Sequence, residues 1–302
     1  MAAIAYVTDE KMIEFHRFNG SHFIVFWRLS KKKFHDFQTG DLLFFLAKDL
    51  LTKQSKEKGL MGYGCLKDTK TMSVNHMWEK FGNKTGYNTK NELLDVIKKS
   101  NKNEEIPKKI TCLILDNVFF FQSPIYLSEL GYNINNNLES FTYLDRHEGK
   151  LTLDILHQAE NIGPDLWINS LDENNDKYFY KQLLRYKLAT IMESDDIKLI
   201  VDKKYLEKIK ADFSAENILW INRYHFCFLK NDNELYIIFY SNKQQFINNF
   251  YKLLGQLIIL KEGIENNITE EIKIKVLTNR KFTAVQNDIL NKYSIEKIYS
   301  RE

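Results

Sequence analysis

A turn, a buried strand and a glycine-rich strand follow one another between Phe34 and Gly64, and this order restricts the folds open to the chain. Gly40-Asp41 precedes the apolar run Leu42–Phe45, which indicates a turn that leads into a buried strand. After a lysine-rich polar segment, Gly62-x-Gly64 indicates a strand whose backbone kinks or is closely approached. A small β-barrel that curls around a pocket, with a loop at its rim, uses elements in this order.

The chain has 302 residues, 44% of them apolar, which is enough for two domains with cores of their own. No apolar run approaches the roughly 20 residues of a membrane-spanning helix, and the N-terminus lacks the layout of a signal peptide, so we expect a cytoplasmic protein with no membrane partner. The net charge is only +3, which does not by itself indicate nucleic-acid binding. Three separated cysteines in apolar contexts indicate buried, reduced thiols and no metal site: Cys65, Cys112 and Cys227.

Strands and helices alternate in the first half of the chain. Asp9 is a favourable N-cap for a helix over Glu10–Phe18. The strongest strand signal is Ile110–Phe121, where the pair Asp116-Asn117 predicts a bulge or a tight bend. Further segments are predicted as strands at Ile4–Val7 and Phe23–Trp27 and as a helix at Asn91–Lys99.

Five ordered patterns span residues 20–145: a strand that ends in Trp27 with Ser30 following, Phe34-x-x-Phe37-x-x-Gly40-Asp41, Gly62-x-Gly64, Met77-Trp78-x-x-Phe81-Gly82, and Leu115-x-x-Val118-Phe119-Phe120. Together they resemble the EVE/PUA-like domain, most of all the version at the N-terminus of modification-dependent restriction endonucleases. The chain departs from these relatives at Leu29, where a proline is common, and it lacks their HNH nuclease unit with clustered cysteines and histidines.

This resemblance implies a pocket for a base flipped out of double-stranded DNA, with aromatic walls, polar groups for the base edge and cations for the phosphates. The implied pocket residues are Trp27, Ser30, His35, Tyr63, Asn75 and Trp78. The implied phosphate-binding residues are Arg28, Lys31, Lys32, Lys33, Lys80 and Lys84. Each also has a structural interpretation, since indoles pack in cores, lysines are commonly solvated charges, and His35 suits a surface or capping position.

The second half begins after a polar seam, with a helix over Tyr178–Met192 and a hairpin whose turn is Lys230–Glu234. The order of hairpin, helix, strand, helix and strand over residues 215–300 resembles the PD-(D/E)xK nuclease core. That family carries an acidic residue and a lysine two positions later, but this chain has Phe239-Tyr240-Ser241 there. Either catalysis has been lost, or Asp232 or Glu234 takes part, because Mg²⁺-dependent cleavage needs carboxylates.

We therefore predict an α+β protein with an N-terminal PUA/EVE-like β-barrel with flanking helices over residues 1–145, a linker over 146–176 and an α/β nuclease-like domain over 177–302. Its expected function is to bind duplex DNA with a modified base in a restriction or defence system. The alternative is a non-catalytic nucleic-acid or small-ligand reader that regulates or recruits a partner nuclease chain. No cofactor is expected, apart from Mg²⁺ if the second domain is active, and the oligomeric state is left open.

Overall fold

The computed structural model describes residues 2–30, 34–48, 57–135, 137–145, 150–165, 175–194, 197, 199, 201–213, 218–222, 227–231, 233–242 and 245–300. Its internal contacts divide the chain into two compact units, residues 2–180 and residues 181–302. Each unit contains a mixed β-sheet and α-helices, so the fold is α+β as predicted. Within these described ranges, no helix has the length and apolar character needed to cross a membrane.

The first unit is built on one six-stranded sheet. Its strands are β1 (Ala3–Val7), β2 (Ile24–Arg28), β3 (Leu42–Lys48), β4 (Lys58–Met72), β5 (Ile110–Ile125) and β6 (Phe141–Tyr143). They lie in the order β2-β5-β4-β3-β1-β6, with β1 and β3 parallel and all other neighbours antiparallel. The strands that flank the predicted loop after Phe45, β3 and β4, are therefore direct partners in the sheet.

This sheet curls until its two ends approach each other. Tyr6 on β1 packs edge to face on Phe26 of β2 with ring centroids 4.9 Å apart, although three strands separate β1 from β2 in the sheet. Phe34 continues the closure, because its ring centroid lies 4.1 Å from the Arg28 guanidinium of β2 and 4.9 Å from the ring of Phe141 on β6. The sheet consequently has the curvature of a partly closed barrel.

Two irregularities bend the long central strands β4 and β5. At Gly62 the register with β5 shifts, φ is +155°, and an added Cβ would lie 2.3 Å from the carbonyl oxygen of Phe119. At Asn117 φ is +47°, and the pairing with β4 shifts again at this point. The kink predicted at Gly62 and the bulge predicted at Asp116-Asn117 are both confirmed.

Among the described residues of this unit, the helices that accompany the sheet are α1 (Glu10–Phe18), α2 (Val74–Phe81), α3 (Lys90–Ser100) and α4 (Leu151–Ile162). The predicted cap of α1 is confirmed, since the Asp9 carboxylate accepts the Met12 N–H at 3.0 Å. Helix α4 falls inside the predicted linker, yet it buries Ile155 and Leu156 and belongs to the first unit. Part of the segment between the predicted domains is therefore structured.

The second unit is built on a five-stranded sheet in the order β11-β10-β9-β8-β7. Its strands are β7 (Ile218–Asn222), β8 (Cys227–Lys230), β9 (Glu234–Phe239), β10 (Lys273–Thr278) and β11 (Glu296–Tyr299). Strands β9, β10 and β11 are parallel, whereas β7, β8 and β9 are antiparallel. The predicted hairpin is confirmed, because β8 and β9 pair around a turn that contains Asn231 at φ +53°.

Helices cover both faces of this second sheet. They are α5 (Asn175–Ser194), α6 (Lys203–Asp212), α7 (Phe246–Asn267) and α8 (Ala284–Lys292). Ile237 and Phe239 of β9 share a core with α5, α7 and α8, and the intervening Ile238 packs in a separate core with α6. Successive side chains of β9 thus point to opposite faces of the sheet, and each face packs against its own layer of helices.

Candidate functional site

Strand pairing places an indole, a thiol and an ammonium group in one row across the first sheet. Cys112 on β5 is the register partner of Trp27 on β2 and of Lys70 on β4. Directly paired residues of antiparallel strands share a face of the sheet. Trp27 is half-buried, and its indole Nε1 has no hydrogen-bond partner among the described residues. The row therefore ends in an aromatic donor on one side and a cation on the other.

Helix α2 lies over this row and adds a second indole. The Met77 Sδ atom is 3.3 Å from the Cys112 Sγ atom, and Trp78 follows Met77 in the helix. Trp78 is half-buried against the same core as Trp27. Burial raises the pKa of the Cys112 thiol to about 11, which keeps it neutral. Both indoles therefore belong to neighbours of this buried sulfur pair, Trp27 as the register partner of Cys112 and Trp78 as the residue after Met77.

Three lysines lie on β4, on α2 and on the turn that follows α2. Lys70 Nζ lies 3.1 Å from the Asp68 carboxylate. The hydrogen bond from Lys70 lowers the pKa of Asp68, and the charge of Lys80 on α2 acts in the same direction, so both ammonium groups are near this carboxylate. Lys84 is exposed on the 3₁₀ turn Gly82–Thr85 that follows α2. We call the set Trp27, Lys70, Trp78, Lys80 and Lys84 the indole–lysine surface.

Three predicted pocket residues are exposed: Ser30, His35 and Asn75. Ser30 is close to β5, since its carbonyl oxygen accepts the Thr111 hydroxyl at 3.4 Å. The segment at His35 is held by its backbone N–H, which donates to the Tyr143 hydroxyl at 3.0 Å and leaves the imidazole free of this contact. The predicted phosphate-binding residues Lys31, Lys32 and Lys33 lie outside the described residues.

Two predicted site residues are buried instead of presented to a ligand. Tyr63 is 0% exposed and packs on Phe44 and Phe119, which lie outside the core that Trp27 packs against. Arg28 is 5% exposed and lies over Phe34. Burial lowers the pKa of Arg28, partly offset by its hydrogen bond with the side chain of Tyr6. The roles predicted for Tyr63 and Arg28, as a base wall and as a phosphate contact, do not fit these positions.

A buried histidine lies near the turn that carries Lys84, and sequence reasoning did not single it out. His16 on α1 is 1% exposed, and neither ring nitrogen has a hydrogen-bond partner in the part of the chain that the structure describes. Burial, together with the smaller effect of the Lys84 charge, lowers the pKa of His16 to about 3. The imidazole is therefore neutral in the folded protein at physiological pH.

The second unit has a cleft of its own at the position predicted for the degenerate nuclease site. It has a volume of about 520 Å³ and is lined in part by Phe239, Tyr240 and Ser241, at the carboxyl end of β9. Asp202 is the one carboxylate among the described lining residues. It caps α6, because it accepts hydrogen bonds from the N–H groups of Lys204 and Tyr205 at 2.9 and 3.1 Å. Among the described residues, no cluster of three or more metal-ligating side chains is found.

The predicted catalytic candidate Glu234 lies at the opposite, amino end of β9. Its carboxylate pairs with Lys275 at 2.6 Å, and Lys275 also contacts Glu296 at 3.2 Å. The hydrogen bond from Lys275 lowers the pKa of Glu234. This carboxylate therefore joins β9 to β10, and Lys275 in turn joins β10 to β11, away from the cleft at Ser241. Asp232, the other candidate, lies outside the described residues.

Sequence reasoning missed Lys70 and the cleft residues that α6 and α7 contribute. Lys70 stands in an ordinary polar segment, and only the register with Cys112 connects it to Trp27. The cleft lysines, Lys203 and Lys252, are far apart in sequence and come from different helices. The position of Lys252 on the polar face of α7 was predictable, because the amphipathic pattern of this helix is visible in the sequence.

No family model matches this chain, and no curated protein matches it. Among solved structures, the crystal structure of ASCH from Zymomonas mobilis is similar to 51% of this chain and 94% of its own chain, with 16% identity and a TM-score of 0.37. Two mutant proteins of the same ASCH match with 15% and 16% identity, cover 97% and 95% of their own chains and have the same TM-score of 0.37.

Proposed function

We propose that the unit of residues 2–180 binds nucleic acid through the indole–lysine surface. The observation that carries the proposal is the pairing of two half-buried indoles, Trp27 and Trp78, with cations at one end of the curled sheet. Aromatic side chains stack on bases, each stack contributing about 1–3 kcal/mol. Lysines bind the flanking phosphates and release counterions.

The finer form of the proposal concerns which nucleic acid is bound. The resemblance of residues 20–145 to EVE/PUA-like domains favours duplex DNA with a modified base that is flipped against the indoles. The exposed side chains of Ser30, His35 and Asn75 would then hydrogen-bond to the base edge or its neighbours. In this form the protein is the DNA-recognition component of a restriction or defence system.

A second candidate function is that of a non-catalytic reader that recruits a partner nuclease chain. The cleft at Ser241 favours it, because Phe239 cannot hold a metal ion and the one described lining carboxylate, Asp202, already caps a helix. Phosphodiester cleavage with Mg²⁺ requires several oxygen ligands around the ion and an activated water. Under this alternative, binding of DNA is unchanged and cleavage depends on the partner.

The double change Lys70→Glu and Lys80→Glu is expected to weaken binding to a labelled duplex roughly tenfold or more, because two phosphate contacts become repulsive. The slope of log K against log salt should fall by about 2 in magnitude, about 1 for each lysine. The measurement is fluorescence anisotropy with duplexes that carry methylated, hydroxymethylated or unmodified cytosine. Lys80 is exposed and Lys70 half-exposed, so folding should be unaffected.

The matched control is Lys150→Glu, a charge reversal at an exposed lysine of the same unit beside α4. If this control weakens binding as much as the double change, the overall positive charge of the protein explains the binding of DNA, and the proposed surface does not. Equal affinity for all three duplexes would retain nucleic-acid binding and reject recognition of a modified cytosine. Preference for single-stranded RNA over every duplex would reject DNA as the ligand.

A further inference from the structure

The cleft of the second unit lies where α/β proteins commonly bind small ligands. Strands β9 and β10 are parallel and pair along their whole length, and the cleft is formed just beyond the carboxyl end of β9, at Tyr240 and Ser241. Open sheets of parallel strands place ligands outside these carboxyl ends. A volume of about 520 Å³ is within the range of ligand sites, which hold molecules of several tens of atoms.

Two lysines give this cleft a positive charge. Lys203 at the start of α6 and Lys252 on α7 both line it, and neither forms an ion pair with another described residue. The Asp202 carboxylate is engaged with the first turn of α6, which offsets its charge with the helix dipole. Helix α7 begins beside the cleft with no acidic residue in its first turn and no side-chain cap. An anionic group fits this wall.

The base of the cleft is held rigidly. Ser241 is 2% exposed, its hydroxyl accepts Asn249 Nδ2 at 2.9 Å, and its carbonyl oxygen accepts Arg280 Nε at 3.0 Å. The Asn279 side-chain oxygen accepts the Ser241 N–H at 3.3 Å. Contacts from α7 and from the segment after β10 therefore fix the end of β9. A site held in this way is organised before a ligand arrives, which lowers the entropy lost on binding.

The remaining lining combines side-chain amides with an apolar wall. Gln245 and Asn249 line the cleft from the start of α7, and the Asn249 Oδ1 atom is left as an acceptor when Nδ2 donates to Ser241. Tyr240 is half-buried and packs on Tyr205 with ring centroids 5.2 Å apart, and Leu253 adds an apolar side chain. Amides that offer both donors and acceptors beside an aromatic ring suit the edge and face of a nucleobase.

We propose that this cleft binds a mononucleotide. The phosphate lies against Lys203 and Lys252, the base stacks on Tyr240, and the amides of Gln245 and Asn249 hydrogen-bond to its edge. A cleft lined by cations, side-chain amides and an aromatic ring matches a ligand with an anionic end and a planar polar end. The site belongs to residues 181–302 and goes beyond nucleic-acid binding by the first unit.

The test is isothermal titration of the full chain with the ribonucleoside 5′-monophosphates of adenine, guanine, cytosine and uracil, and with adenosine and inorganic phosphate alone. We expect at least one nucleotide to bind more tightly than either fragment. Lys203→Ala and Lys252→Ala should each weaken its binding roughly tenfold, since each removes a charge-assisted hydrogen bond to the phosphate. The matched control is Lys208→Ala, on the same helix as Lys203 and outside the cleft lining.

Several results would overturn the proposal. The first is that none of these nucleotides binds at millimolar concentration. The second is that adenosine and its monophosphate bind with equal affinity. The third is that Lys208→Ala weakens nucleotide binding as much as Lys203→Ala or Lys252→Ala does. A short single-stranded oligonucleotide could bind with the same dependence on these lysines while no mononucleotide binds. That result would show that the cleft binds the end of a nucleic-acid strand. The Lys203 and Lys252 variants should keep their affinity for duplex DNA, so failure here is distinguishable from failure of the indole–lysine surface.

Discussion

The substitution Gly62→Ala is expected to lower the free energy of unfolding of the first unit by about 3 kcal/mol. An added Cβ at Gly62 would lie 2.3 Å from the Phe119 carbonyl oxygen and 2.9 Å from Phe120 Cα. Both obstacles are backbone atoms of β5, so relief requires separation of β4 and β5 and not the rotation of a side chain. Hydrogen exchange of the β4 and β5 amides measures this loss within the unit.

Gly131→Ala provides a comparison at a positive φ without the close approach. Gly131 belongs to the same unit and has φ +80°, but nothing lies within 4 Å of an added Cβ. Its replacement should cost about 1 kcal/mol, the strain of a left-handed residue alone. Equal losses for the two variants would show that the contact with Phe119 does not determine the requirement for glycine at position 62.

Local signals located several elements to within a few residues of their observed bounds. Asp9 as an N-cap predicts the start of α1, and the observed helix has the predicted bounds Glu10–Phe18. The hairpin turn after Lys230 and the bends at Gly62 and Asn117 were also predictable. These features depend on residues close in sequence, where glycine, asparagine and aspartate have conformational preferences of their own.

Which face of the sheet each strand residue occupies was not predictable in the same way. Tyr63 follows Gly62 at a shift in register, and such a shift changes the relation between sequence position and side-chain direction. The sequence alone therefore could not place Tyr63 with Phe44 and Phe119 instead of with Trp27. The curl that brings Tyr6 to Phe26 likewise depends on the order of six strands in the sheet. No short stretch of sequence indicates that order.

In the second unit, the hairpin was predicted but the cleft beyond it was not. Glu234 is a carboxylate near the turn and so fits a catalytic role by sequence, yet it lies at the end of β9 away from Ser241. Lys203, Asn249 and Lys252 meet Ser241 only because α6 and α7 both start near the end of β9. Sites assembled from helix starts on separate segments have no spacing that a sequence reveals.

A pH dependence of stability is expected from His16. Burial and the nearby Lys84 charge lower the pKa of His16 to about 3, whereas a histidine in the unfolded chain titrates near its usual value of about 6.5. Between these values the unfolded state binds more protons than the folded state, so stability falls as the pH falls below about 6.5. At pH 5 the free energy of unfolding of the first unit should be about 2 kcal/mol lower than at pH 7.5 from this group alone.

His16→Met should remove that part of the pH dependence, because the methionine side chain fills a comparable apolar space beside Met12 and Gly86 and binds no proton. It also removes two buried ring nitrogens that have no partner among the described residues, so the variant should match or exceed the native stability at pH 7.5. The control is His76→Leu, since His76 is exposed on α2. Hydrogen exchange of the β4 and β5 amides at both pH values provides the comparison. A His16→Met protein that loses as much stability as the native protein between pH 7.5 and pH 5 would show that other groups, and not this buried imidazole, make the unit sensitive to acid.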